Sequence, residues 1–194
     1  DPQQRILLEV AAEAFHDART ERESLVGTDT GVYVGASFND YVMLLRQNLV
    51  MNAYSGTGSV RSVLSNRISF FFGMKGPSMT IDTACSSSLV CLHVGKQSIQ
   101  SGESSTILCG GVNVMLDPHT TKMFCLSNMM SPDGCCKTFD EKANGYVRSE
   151  GCGLVVVTTL RMAMQNNSYI HAVMCGSAVN QDGASNGLTA PNGP

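Results

Sequence analysis

The stretch Ser78-Met79-Thr80-Ile81-Asp82-Thr83-Ala84-Cys85-Ser86-Ser87-Ser88-Leu89-Val90 decides how this chain is read. It follows the breaker Gly76-Pro77, and its first residues carry the pattern of a short strand, expected over 78–83. Beyond it, apolar residues at Leu89, Val90, Leu92, Val94 and Ile99 suit a helix over 86–101. Cys85 therefore falls where a strand turns into a helix. The unpaired N–H groups and the positive end of the helix dipole at such a place favour a thiolate over a thiol. Ala84, Ser86 and Ser87 are small enough to let an electrophile reach the sulfur. The expected geometry is a nucleophile elbow with sulfur in place of the serine oxygen. The competing reading is a small buried thiol with no chemistry, the commoner fate of a free cysteine.

Outward from this stretch, Asp1 and Pro2 read as N-cap and first helical residue. Ile6, Leu7, Val10, Ala11, Ala14, Phe15 and Ala18 then keep helical spacing, so residues 2–18 are expected to form an amphipathic helix. Further helices are expected over 39–50, 58–72 and 118–128. Further strands are expected over 31–36, 105–112, about 152–160 and about 169–179. Residues 129–149, rich in Asp, Gly and Asn, read as turns and loops. Alternating strands and helices imply an α/β protein with a mixed or mostly parallel sheet.

Composition narrows the function. The 194 residues fit one domain or a large piece of one, and 43% hydrophobic against 15% charged residues supports a substantial core. A formal net charge of −3 without a run of Lys or Arg argues against nucleic-acid binding. No apolar stretch approaches the roughly 20 residues that span a bilayer. Eight cysteines occur, with no CxxC pair and no His/Cys cluster at zinc spacing, so no metal site is expected. The vicinal Cys135-Cys136 pair would be strained as a disulfide and is expected as two free thiols, which fits a reducing, cytoplasmic setting.

The string around Cys85 resembles the active-site signature of the β-ketoacyl synthases, and its triple serine followed by Leu89-Val90 is most similar to the ketosynthase domains of modular or type I polyketide synthases. Other blocks follow in the family's order. They are Asp1-Pro2-Gln3-Gln4-Arg5, Gly31-Val32-Tyr33-Val34-Gly35, Ser65-Asn66-Arg67-Ile68-Ser69, Gly110-Gly111-Val112-Asn113 and Ser131-Pro132-Asp133-Gly134. Gly145-Tyr146-Val147-Arg148-Ser149-Glu150-Gly151, Asn180-Gln181-Asp182-Gly183 and Gly187-Leu188-Thr189-Ala190-Pro191-Asn192-Gly193-Pro194 complete the set. The resemblance implies a thiolase-like layered fold (αβαβα), mostly its N-terminal half. It further implies that residues 1–194 are an internal fragment of a ketosynthase domain, lacking the family's first segment and its C-terminal half. Cys85 would be the acyl-accepting nucleophile, with its backbone N–H as one oxyanion donor. The second donor and two catalytic histidines would lie beyond Pro194.

The implied reaction is decarboxylative condensation of the cysteine-bound acyl group with a malonyl-type extender. No cofactor is expected to bind directly; substrates would arrive on the phosphopantetheine of an acyl carrier protein. The implied partners are that carrier, neighbouring synthase domains such as an acyltransferase, and a second copy in a homodimer, with the strand before Cys85 near its interface. A fatty-acid-synthase ketosynthase, a non-elongating gatekeeper and a structural ketosynthase-like domain are the alternatives.

The remaining titratable residues draw structural readings. His93 lies eight positions beyond Cys85 on the same helix, on the order of 12 Å away at 1.5 Å per residue, too far for direct proton transfer. His16, His119 and His171 are likewise expected to be structural or superficial. Asp82 is expected to accept backbone N–H bonds at the turn. Arg148 and Glu150 are candidates to pair with each other, and Asn180, Asp182 and Gly183 to form an architectural turn. Three positions depart from the commonest family pattern: Cys135 stands where arginine is usual, Asn144 where aspartate is usual and Ser149 where glycine is usual.

Overall fold

The computed structural model describes residues 1–49 and 51–189. In chain order the elements are α1 (Pro2–Asp17), α2 (Arg22–Leu25), β1 (Gly31–Gly35), α3 (Asp40–Gln47), α4 (Ser62–Phe72) and β2 (Ser78–Ile81). Then follow α5 (Ser87–Ser101), β3 (Thr106–Asn113), α6 (Pro118–Leu126), β4 (Gly151–Thr158) and α7 (Leu160–Gln165). The sheet order is β2-β1-β3-β4. β1 runs parallel to both β2 and β3, and β4 closes the far edge antiparallel to β3.

Every residue of β1 is buried because helices cover both faces of the sheet. The pleat divides its side chains between two cores. Val32 and Val34, with Leu108 of β3, meet Leu7, Ala11 and Phe15 of α1 and Leu64, Ile68 and Phe72 of α4. Tyr33, with Ile107 and Cys109, meets Cys91 of α5 on the opposite face. The result is three layers, with α1 and α4 on one side of the sheet and α5 on the other. The edge-on stack of Phe15 and Phe72, with ring centroids 5.1 Å apart, locks α1 to α4.

Most expected elements appear within a few residues of their bounds. Asp1 caps α1, its carboxylate accepting from the Gln3 N–H at 2.9 Å, and Pro2 opens the helix. The expected helix over 58–72 starts only at Ser62, because residues 58–61 form tight turns, with the Gly58 N–H reaching back to the Tyr54 carbonyl. Residue 50 of the expected helix over 39–50, and residues 190–194 of the last family block, lie outside the described residues. Two short helices went unread. α2 has only four residues; α7 follows Thr159, whose hydroxyl accepts from the Met162 N–H, a capping signal that the sequence does contain.

The strand expected over about 169–179 does not form. No strand among the described residues lies alongside this segment to supply a hydrogen-bonded ladder. Side chains tie it down instead: His171 Nε2 contacts Asp17 Oδ2 at 2.7 Å, and Ser177 Oγ contacts His93 Nδ1 at 2.9 Å. Val173 and Val179 stay exposed. Among the described residues, no helix is long and apolar enough to cross a membrane.

The contact that positions the site lies at Gly35, the last residue of β1. A Cβ there would sit 2.7 Å from the Ser88 backbone N and 2.8 Å from the Ser87 carbonyl carbon. The first turn of α5 therefore rests directly on the end of β1, an approach only glycine permits. Gly35→Ala is expected to push α5 off the strand and to lower unfolding free energy by about 2 kcal/mol, measured by urea denaturation beside the parent protein.

Candidate active site

Cys85 lies between β2 and α5 and is exposed. The residue before it, Ala84, has a φ of +55°, a left-handed conformation that costs a non-glycine residue about 1 kcal/mol. Side chains from four segments hold this turn. The Asp82 carboxylate accepts from the Ala84 N–H at 3.1 Å, as the sequence predicts for it. Ser87 Oγ donates to the Ala84 carbonyl at 2.6 Å and accepts from the Thr83 N–H at 2.9 Å. Ser37 Oγ, from the loop after β1, also donates to the Ala84 carbonyl, at 3.2 Å. Arg61 Nη1 reaches both the Ser37 carbonyl, at 2.8 Å, and Asp82 Oδ2, at 2.6 Å. Partial burial opposes the charge on Asp82, but the Ala84 N–H and the Arg61 guanidinium outweigh it and hold its carboxyl below the usual range.

The sulfur faces a groove of about 930 Å³ at the carboxyl ends of β1, β2 and β3. Crevices at that end of an open α/β sheet are where ligands bind. The loop after β1 brings Phe38, α6 brings Phe124, and the segment before β4 brings Tyr146 and Arg148. Phe38 and Phe124 stack edge to face at 5.9 Å, and Phe124 and Tyr146 at 6.1 Å. The Arg148 guanidinium lies 5.1 Å from the Phe38 ring centre and 5.7 Å from that of Phe124, and donates to Thr121 Oγ1 at 2.7 Å. Its Nη2 is buried without a hydrogen-bond partner; the two aromatic faces are what offsets that desolvated charge. The groove wall is thus largely apolar, with one cation built into it.

Buried Asp40 anchors this wall. Its Oδ2 accepts from the Leu116 and Asp117 N–H groups at 3.1 and 3.2 Å, which docks the start of α6 against α3. Asp117 in turn caps α6 through the His119 N–H, and its carboxylate contacts the His119 ring. His119 is thereby engaged in the cap, His93 contacts Gln97 and Ser177, and His171 contacts Asp17. No histidine lines the groove among its described residues.

Two expectations need correction or completion here. Arg148 and Glu150 do not pair: Arg148 turns to the aromatic wall and Thr121, while Glu150 Oε1 accepts from the Met115 N–H at 2.7 Å. Arg148 finds its partner on α6 and Glu150 on the loop before it, so the two do not meet. The aromatic wall itself was not read from the sequence, because Phe38 and Phe124 lie far in the chain from the block that carries Tyr146 and Arg148. The Gly183 N–H bonds to Gln181 Oε1 at 2.6 Å, a local contact in the segment where a turn is expected.

The other cysteines separate from Cys85 by position. Burial pushes the thiols of Cys91 and Cys109 up to about 12 and that of Cys152 up to about 11, leaving all three protonated near neutral pH. Cys135 and Cys136 are free and exposed; Cys136 Sγ accepts from the Val147 N–H at 3.2 Å. Of the eight cysteines, all among the described residues, only Cys85 lines the groove. Among the described residues, no group of three or more His, Cys, Asp and Glu side chains is placed to hold a metal ion. Ser87→Ala removes the acceptor of the Thr83 N–H and is expected to cost about 1 kcal/mol. Amide hydrogen exchange should quicken at Thr83 and Ala84 and stay unchanged in the middle of α5.

Residues 1–163 match the family model described as Beta-ketoacyl synthase, N-terminal domain. Over its whole length the chain is 49% identical to erythronolide synthase EryA2 of Saccharopolyspora erythraea, covering 6% of that protein. It is 47% identical to a probable polyketide synthase of Dictyostelium discoideum, again covering 6% of the relative. Among solved structures, the ketosynthase from module 6 of the bacillaene synthase of Bacillus subtilis superposes with a TM-score of 0.91 at 40% identity, over 98% of this chain and 32% of that one. The oxazolomycin ketosynthase domain from Streptomyces albus gives the same TM-score at 35% identity, over 99% of this chain and 33% of its own. The chain thus spans about a third of those ketosynthases and has their thiolase-like fold. By these matches the chain belongs to the β-ketoacyl synthase family, with residues 1–163 corresponding to its N-terminal domain.

Proposed function

We propose that this chain is the nucleophile-bearing part of a polyketide-synthase ketosynthase and that Cys85 is its acyl acceptor. The observation that carries this reading is the location of Cys85: an exposed thiol on a strand-to-helix elbow, facing an apolar groove, in a chain of ketosynthase sequence and fold.

In the first half-reaction the Cys85 sulfur attacks the carbonyl carbon of an acyl thioester on the phosphopantetheine of an acyl carrier protein. The new C–S bond forms, the bond to the pantetheine sulfur breaks, and the carrier thiol leaves with the proton. In the second, a carrier-bound malonyl-type extender loses carbon dioxide, and the resulting carbanion attacks the Cys85 thioester. The β-ketoacyl product stays on the carrier and the Cys85 thiolate departs. Each attack places negative charge on the former carbonyl oxygen, where the Cys85 backbone N–H is one donor. The groove has the size and lining that a pantetheine-borne acyl chain requires. On this reading the residues that assist decarboxylation, the second oxyanion donor and the C-terminal half of the domain come from sequence downstream of Pro194. The acyl carrier protein, an acyltransferase domain and a second ketosynthase copy are the partners this reading entails.

Cys85→Ala in the full-length protein is expected to abolish the acyl adduct formed from an acyl-carrier thioester while changing stability by less than about 1 kcal/mol, because the side chain is small and exposed. Intact-protein mass spectrometry reads the adduct. An acyl adduct of undiminished yield in the variant overturns the assignment.

A further inference from the structure

Arg61 is absent from every motif that marks the family in this sequence, yet it is the group on which the elbow converges. Its backbone is fixed: α4 begins immediately after it, and Thr80 Oγ1 of β2 donates to its carbonyl at 2.9 Å. Its Nη1 then spans two loops, bonding the Ser37 carbonyl after β1 and Asp82 Oδ2 after β2. Both of those residues act on Ala84. Asp82 holds its N–H and Ser37 Oγ its carbonyl, which together maintain the left-handed turn that leads into Cys85. One guanidinium nitrogen therefore connects the start of α4, the loop beside Phe38 and the peptide before the sulfur.

We propose that Arg61 is a positioning residue for Cys85, holding the elbow in the conformation that presents the sulfur to the groove. The inference rests on the ketosynthase reading for its consequence in catalysis, but not for its consequence in thiol reactivity. Arg61 and Asp82 are 41% and 40% exposed, and ion pairs this open contribute little to global stability. Their effect is therefore local. Loss of the arginine releases Asp82 and Ser37 from each other and leaves Asp82 as an unneutralised anion three residues from the reacting sulfur. Lysine, with a shorter reach and no planar fork, retains the charge and part of the bridge.

The test uses the full-length protein with two reagents. Iodoacetamide labelling, quantified peptide by peptide, gives the reactivity of Cys85 beside exposed Cys125, Cys135 and Cys136 and buried Cys91 and Cys109. Acyl transfer from a pantetheine thioester gives kcat and KM. Arg61→Met is expected to slow labelling of Cys85 alone and to lower kcat for acylation on the order of tenfold, with little change in KM. Arg61→Lys should recover much of both rates. Adding Asp82→Asn to Arg61→Met should slow Cys85 no further, because the two act through one bridge. Unchanged Cys85 labelling in Arg61→Met overturns the proposal. So does a loss that appears only as Cys91 and Cys109 become labelled, since that marks unfolding, or one that Arg61→Lys does not recover. Absence of any acyl adduct on the parent protein's Cys85 would overturn the ketosynthase reading instead, while the iodoacetamide comparison would still decide the role of Arg61.

Discussion

The first turn of α5 lies against the end of β1 with no side chain between them at Gly35, and the groove owes its floor to that contact. Because the helix starts so close to the sheet, Ser87 and Ser88 pack against strand backbone, and Cys85 is carried just past the strand ends. The chain must make its reversal in very few residues to achieve this. Ala84 takes a left-handed conformation as a result, and a closed set of hydrogen bonds from Asp82, Ser87 and Ser37 compensates for it. The two cores on either side of the sheet supply the rigidity against which the turn is held.

The groove wall is assembled differently. Phe38, Phe124, Tyr146 and Arg148 come from three segments that meet at α6, which Asp40 docks against α3 and to which Arg148 bonds through Thr121. An arginine laid across two aromatic rings is a firm but apolar-faced partner, so it stiffens the wall without a carboxylate partner of its own. The same economy governs the loop between α6 and β4. Lys137, Ser131 and Asn144 converge on Asp133, whose carboxyl they hold well below the usual range, the lysine most strongly. Asn144 donates its amide to Asp133 at 3.4 Å and its Oδ1 accepts from Lys137 Nζ at 2.9 Å. Nothing in the structure explains the departures at Asn144 and Cys135.

Much of the architecture was legible because it depends on short-range signals. Asp1-Pro2 fixes the start of α1, the run Gly31–Ala36 reads as a short strand, and the change from strand to helix pattern around Cys85 gives the elbow. Where the reading went wrong, the missing information was a partner. The segment 169–179 has strand-like side chains, but a strand exists only when another lies beside it, and no described strand does. Arg148 and Glu150 are close enough in sequence to suggest a pair, yet the aromatic faces and the Met115 N–H offered each a better contact.

The sequence by itself therefore determined the order of the longer elements up to β4, the turn at Cys85 and membership of the family, since local backbone preferences and motif spacing are written residue by residue. Only the tertiary structure decided that Arg61 ties the elbow together, that residues from three segments form the groove wall, and that Cys85 alone among the cysteines faces it. Those facts rest on contacts between segments separated by tens of residues, and such contacts are settled by how the layers pack, not by what any one segment prefers.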